Sequence, residues 1–206
     1  MLNLKNFLFD LDGVLVNACD WHYETLNESL KFSGNTPIGL SDHVEKYNGL
    51  PTKIKLSMLN IHSDQHDLII NKKAEFLDKY IEERCQIDEE KIALFEHLKN
   101  KKGRIACVTN SVKHTAESVL KKMGIRIYFD AVVSNEDVRN NKPDPEPYDY
   151  TVSLLKINPA ECLIVEDSPK GFMAAALSKV SVIWKVPDAN YVTLANYKNI
   201  FEDSHE

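Results

Sequence analysis

Residues able to handle phosphate stand at the ends of short apolar runs in this chain. Phe7-Leu8-Phe9 ends in Asp10-Leu11-Asp12-Gly13, and Ile105-Ala106-Cys107-Val108 ends in Thr109-Asn110-Ser111. Ala131-Val132-Val133-Ser134 is followed by a loop in which Lys142 precedes Pro143-Asp144-Pro145. Cys162-Leu163-Ile164-Val165 ends in Glu166-Asp167-Ser168. Taken singly these are ordinary: an Asp after a strand is usually a turn residue or a cap. Together they have a chemical logic. Clustered carboxylates repel unless a cation compensates them. An all-oxygen site suits Mg²⁺, which takes one or two carboxylates plus a phosphate and keeps several waters. The metal and Lys142 would neutralise a phosphate and let an anionic Asp10 approach phosphorus. Asp12 could protonate the leaving oxygen and later activate water. Thr109 and the backbone N–H of Asn110 would bind phosphate oxygens.

These residues need a scaffold that brings strand ends to one edge. Continuous apolar runs suit buried parallel strands. A fifth run spans Val180-Ser181-Val182-Ile183-Trp184. Helical patterns fall between the runs, over 89–100, 113–123, 145–156 and 169–177. Ser111 and Ser168 are expected N-caps, Pro169 a first helical residue and Gly124 a helix stop. Such alternation predicts an α/β fold, a doubly wound, Rossmann-like parallel sheet. In that fold ligands bind beyond the carboxyl ends of the strands. From residue 17 to 85 no convincing strand occurs. Helical stretches over 20–32, 40–47, 52–60 and 64–85 predict an all-helical cap inserted after strand one. The expected division is 1–16 with 86–206 for the catalytic core, and 17–85 for the cap. The polar tail from Glu202 to Glu206 is expected to fray.

The chain has 206 residues, 43% hydrophobic and 27% charged, which is ordinary globular composition. A net charge of -6 argues against a nucleic-acid partner, which usually needs a basic face. Four dispersed cysteines without a CxxC pair argue against a disulfide framework and for a reducing compartment. Neither a secretory apolar core nor a run long enough to span a bilayer is read, so a cytoplasmic protein is expected, with no membrane partner. Oligomeric state is not readable. His62 and His66 have helical metal-ligand spacing, but Ser63-Asp64 is also a helix start, which sets His62 outside the helix.

Four segments carry a family resemblance. Phe9-Asp10-Leu11-Asp12-Gly13-Val14-Leu15, Val108-Thr109-Asn110-Ser111, Lys142-Pro143-Asp144-Pro145-Glu146-Pro147-Tyr148 and Val165-Glu166-Asp167-Ser168-Pro169-Lys170-Gly171 resemble, in order, the four motifs of the haloacid dehalogenase-like superfamily. The branch resembled is the helical-cap one that includes phosphoglycolate phosphatase and β-phosphoglucomutase. The resemblance implies Asp10 as nucleophile and Asp12 as general acid and base. It implies a Mg²⁺ held by Asp10, the Asp12 carbonyl and Asp167, with Glu166 nearby, and a phosphate gripped by Thr109, Asn110 and Lys142. It also implies a mobile cap closing over a small phosphorylated metabolite. His22 matches a histidine at the start of the cap in mutase-like relatives. Thr52 and Lys53 fall where the cap reaches substrate, Thr52 replacing the arginine of mutases. Asn17-Ala18 stands where relatives often have Asp-Ser or Asp-Thr. The leading expectation is a Mg²⁺-dependent phosphatase acting through an aspartyl-phosphate. A phosphomutase remains open, as does a non-enzymatic phosphorylation switch or silent binding protein.

Overall fold

A computed structural model describes residues 3–202; the tail residues 203–206 lie outside them. The chain forms two compact units, Met1–Asn17 with Gln86–Glu206, and Ala18–Cys85. In chain order the elements are β1 (Asn6–Phe9), α1 (Cys19–Phe32), α2 (Leu40–Asp42) running into a π-helical turn (His43–Tyr47), α3 (Thr52–Met58) and α4 (His66–Arg84). Then follow α5 (Glu89–Lys99), β2 (Ile105–Val108), α6 (Lys113–Lys122), β3 (Ala131–Val133), α7 (Glu146–Leu155), β4 (Cys162–Glu166), α8 (Pro169–Leu177), β5 (Val182–Lys185) and α9 (Leu194–Phe201).

The first unit is a five-stranded sheet of order β3-β2-β1-β4-β5, parallel at every pairing. All four residues of β1 are buried, as its continuous apolar run requires of a central strand. Crossover helices supply the cover: Tyr148 and Val152 of α7 and Ala174 and Ala175 of α8 join Leu8, Val108 and Ile164 in one buried cluster. The strand order reverses at β1, where an open α/β sheet forms its ligand crevice. The register then sets the site. Phe9 is level with Cys107 on one side and Val165 on the other. The next residue along each strand is Asp10, Val108 or Glu166, so both acids leave the sheet at the same height.

Three local expectations are corrected. Ser111 does not cap α6. Val112 holds that position without a side-chain bond, and the Lys113 N–H is satisfied by Glu136 Oε2 at 2.7 Å. The fifth strand starts at Val182 rather than Val180, because ladder pairing begins opposite Leu163. The stretch 40–47 is not α-helical throughout, since its second half is the π-helical turn. Ser168 does cap α8, accepting from Gly171 N at 3.0 Å.

The helical unit closes on its own small core of Leu26, Leu30, Ile38, Tyr47, Leu56 and Ile69. Among the described residues no helix is long and apolar enough to cross a membrane. All four cysteines are free thiols.

Asp130 ties the edge of the sheet together. Its carboxylate accepts from Ile105 N at 2.9 Å, Arg104 Nη1 at 2.8 Å and Lys99 Nζ at 3.0 Å. Burial alone would raise its pKa, but these three donors together hold it below the ordinary 3.8. A carboxylate lowered in the folded state stabilises above its unfolded pKa and loses that contribution as pH falls through the folded value. Asp130→Asn is therefore expected to cost about 1–2 kcal/mol at pH 7 and progressively less below pH ~4. Urea unfolding at both pH values checks this, and a pH-independent difference would contradict it.

Candidate active site

Asp10 sits just past β1, its N–H bonded to Val165 O at 3.1 Å. The Lys142 ammonium reaches it from the loop before α7 and uses all three of its donors. They go to Asp10 Oδ1 at 2.7 Å, Val108 O at 2.7 Å and Glu166 Oε1 at 2.6 Å. Glu166 is completely buried and is held in turn: Tyr148 Oη donates to its Oε1 at 2.6 Å and Asp167 N to its Oε2 at 3.2 Å. Glu166 thus anchors Lys142.

The electrostatics follow from burial and from the balance of charge. Burial would strip the proton from Lys142, but Asp10 and Glu166 overcome it and hold its pKa above the ordinary value. Burial pushes Asp10 well up; Lys142 opposes this, while Glu166, Asp12 and Asp167 add to it. Lys142 alone does not offset burial and the three neighbouring acids. Asp167 is raised to about 6, by burial first and then by Glu166. Its Oδ1 is buried with no hydrogen-bond partner. One oxygen each from Asp10, Glu166 and Asp167 lies within 4.8 Å of the others. A clustered all-oxygen donor set with an orphaned carboxylate oxygen fits a hard divalent cation such as Mg²⁺.

Without such a cation Asp167 is a liability. A carboxyl raised in the folded state contributes stability below its unfolded pKa and loses it as pH rises through the folded value, here about 6. In chelator, Asp167→Asn is expected to melt higher than wild type at pH 8 and equally at pH 4. Equal melting temperatures at pH 8 would remove the repulsion argument.

Two glycines make room for these acids. Gly13 has φ +88°, and a Cβ there would land on the Asp167 carboxylate. A Cβ on Gly171 would land on that of Glu166. The Asp12 side chain is outside the three-acid cluster: its Oδ2 accepts from Ser111 Oγ at 2.7 Å. That bond fixes a carboxyl two residues from Asp10, as acid–base work needs.

Thr109 is buried at the end of β2, and its Oγ1 accepts from Ser111 N at 3.0 Å. The Asn110 side chain clamps the Lys142 main chain, donating to its O and accepting from its N, both at 3.0 Å. Asp10, Asp12, Thr109, Asn110, Lys142, Glu166 and Asp167 are thus brought together. Three holders go beyond the expected set: Ser111, expected as a cap, Tyr148 and the Asn110 side chain. Tyr148 had one available signal, a phenol in the first turns of the helix that follows the Lys142 loop.

His22, Thr52 and Lys53 lie in the helical unit. His22 Nδ1 is 3.2 Å from Lys73 Nζ, Thr52 opens α3 and Lys53 is exposed. His62 pairs with Asp64 at 2.7 Å, and His66 Nε2 bonds to Ile61 O at 2.9 Å, so these rings do not share a metal site. Asn17 Oδ1 accepts from Ala189 N at 3.0 Å, within the sheet unit.

A family described as haloacid dehalogenase-like hydrolase matches residues 7–185. A pyrophosphatase PpaX of Bacillus velezensis is 28% identical over 194 residues, covering 93% of this chain and 88% of that protein. A phosphorylated carbohydrates phosphatase of Thermotoga maritima is 27% identical over 193 residues, covering 89% and 85%. A crystal structure of β-phosphoglucomutase from Clostridium difficile shares the fold, with a TM-score of 0.77, 21% identity and coverage of 95% and 96%.

Proposed function

Since the chain belongs to the haloacid dehalogenase-like hydrolase family, we propose that it is a Mg²⁺-dependent phosphatase that hydrolyses a small phosphomonoester through a phosphorylated Asp10. The observation that carries this reading is the buried Lys142 tripod on Asp10, beside an Asp167 oxygen that has no partner. A carboxylate held this rigidly next to a cation is a nucleophile aimed beyond the strand ends.

Asp10, the Asp12 carbonyl and Asp167 would hold the metal. When bound, Mg²⁺ supplies the positive charge that offsets substrate phosphate and keeps Asp10 anionic. An Asp10 carboxylate oxygen forms the bond to phosphorus as the bond to the ester oxygen breaks. Asp12, protonated, gives its proton to that leaving oxygen. Asp12 then takes a proton from water as the water attacks phosphorus, and the Asp10–phosphorus bond breaks to release inorganic phosphate. Thr109 and Asn110 N–H would steady the phosphate oxygens, and Lys142 would neutralise charge.

The substrate class we infer is a small phosphorylated metabolite. The test is inorganic phosphate release from sugar phosphates, short-chain ester phosphates and pyrophosphate, with and without Mg²⁺. Release should require Mg²⁺, and Mg²⁺ should raise the melting temperature of wild type more than that of Asp167→Asn. Conversion of a sugar phosphate to its isomer without phosphate release would identify a mutase instead. No turnover of any ester above an Asp10→Asn control would end the phosphatase reading.

A further inference from the structure

Asn48 and Gly49 form the one Asn-Gly pair in the chain. They are the two central residues of a turn between the π-helical turn and α3. Asn48 has φ -59° and ψ 137°, and Gly49 has φ +70°. Those angles make a type II turn, whose third residue takes the left-handed conformation that favours glycine. Leu50 N donates to Tyr47 O at 3.1 Å across it. Gly49 is exposed and Asn48 half-buried, so water reaches the pair.

Glycine matters here for a second reason. The side-chain carbonyl carbon of an asparagine can close a five-membered ring with the amide nitrogen of the next residue. A Cβ on that next residue crowds the closure, and glycine has none. The fold sharpens the contrast with other asparagines that precede small residues. Asn110 precedes Ser111, and its amide is clamped to the Lys142 main chain by two bonds, each 3.0 Å. Asn17 precedes Ala18, and its Oδ1 accepts from Ala189 N at 3.0 Å. In both cases the successor carries a Cβ and the side chain would have to leave its partner. The 48–49 turn lies at the surface, where local opening costs little.

We propose that Asn48-Gly49 is a site of spontaneous covalent modification, at which Asn48 loses its amide and the main chain is rerouted through an isoaspartyl link. The Gly49 nitrogen attacks Asn48 Cγ. The new N–Cγ bond forms as the Cγ–Nδ2 bond breaks, and the Gly49 proton leaves with the amide nitrogen as ammonia. Water then opens the cyclic imide. Addition at the former side-chain carbonyl gives aspartate at this position, and addition at the former main-chain carbonyl gives isoaspartate. No oxidant or reductant enters. Either product adds a negative charge. Isoaspartate also lengthens the main chain by a methylene, so Leu50 N no longer meets Tyr47 O in register. The segment displaced leads into α3, which sets Leu56 into the buried core of the helical unit. The reaction needs only water and does not depend on phosphatase activity.

Peptide mapping by mass spectrometry of the folded full chain, aged near pH 8, tests this. Asn48 is expected to convert at least about tenfold faster than Asn110 or Asn17, a barrier difference of roughly 1.4 kcal/mol. Isoaspartate should exceed aspartate, and conversion should slow as pH falls, because the attacking nitrogen must give up its proton. Isoaspartyl methyltransferase should label the peptide containing position 48 in aged protein and not in fresh protein. Gly49→Ala should slow conversion. Alanine is strained at φ +70°, so Asn48→Gln, which keeps the turn glycine, is the second variant and should abolish the labelling of that peptide. Freshly prepared Asn48→Asp separates charge from rerouting: the isoaspartyl form should melt below both it and wild type. An Asn48 that keeps its amide, conversion no faster than at Asn110, or aspartate formed without isoaspartate would overturn the proposal.

Discussion

Asp10→Asn is expected to lower phosphate release at least about a thousand-fold, equivalent to ~4 kcal/mol of transition-state stabilisation, while the chain stays folded. The amide is close in shape to the carboxylate and keeps an oxygen for the Lys142 ammonium, which sits 2.7 Å from Asp10 Oδ1. It has no anionic oxygen with which to attack phosphorus. The stability of the same variant tests the electrostatics separately. Asp10 is driven up by burial and by Glu166, Asp12 and Asp167, with Lys142 alone opposing. Removing its charge in chelator relieves that repulsion, so the variant should melt at or above the wild-type temperature near pH 8. Added Mg²⁺ should then favour wild type, because the variant has lost a carboxylate ligand. A variant that retained a tenth of the activity would exclude Asp10 as the nucleophile. One that lost activity by unfolding would leave the chemistry to be read from Asp10→Glu, which keeps the charge but moves it by a methylene.

Much of this site is written in runs that physics makes easy to read. A central parallel strand must be apolar on both faces, so Phe7-Leu8-Phe9 and Cys162-Leu163-Ile164-Val165 announce themselves, and Asp10 and Glu166 mark where each leaves the sheet. Side-chain hydrogen bonds across the fold are harder. Ser111 looks like a cap because Ser before a helix usually is one; it serves Asp12, ninety-nine residues away in the chain. Glu166 and Asp167 are adjacent acids with the same local pattern. Only the tertiary positions of Tyr148 and Lys142 make one an anchor and leave the other with an unpartnered oxygen. The π-helical turn at His43 is invisible to periodicity, since one inserted residue shifts the apolar phase without breaking it. α9 was missed altogether, a short helix whose Tyr197 packs on Phe7 at 5.9 Å.

Lys142→Met should cause the largest loss of stability of any change considered, about 3–5 kcal/mol at pH 8. Lys142 is the cation shared by Asp10 and Glu166, and methionine fills much of the same volume without donating a hydrogen bond. The variant leaves two buried carboxylates facing each other, and Val108 O loses the 2.7 Å bond from the ammonium. The loss should depend on pH in a defined direction. Lys142 lowers the Asp10 pKa in the wild type, so removing it raises that pKa further. A group raised in the folded state is stabilising when protonated and loses that contribution as pH rises through its folded value. The penalty should therefore be smaller at pH 5 than at pH 8, by urea unfolding. A second change identifies the source. Adding Glu166→Gln to Lys142→Met removes one orphaned carboxylate and leaves Tyr148 an acceptor, so part of the stability should return, whereas Glu166→Gln alone should destabilise. That non-additivity is the signature of a coupled pair. Strictly additive effects, or a Lys142→Met penalty under ~1 kcal/mol, would mean that Lys142 sits beside Glu166 without being held by it, and the tripod that aims Asp10 would lose its physical basis.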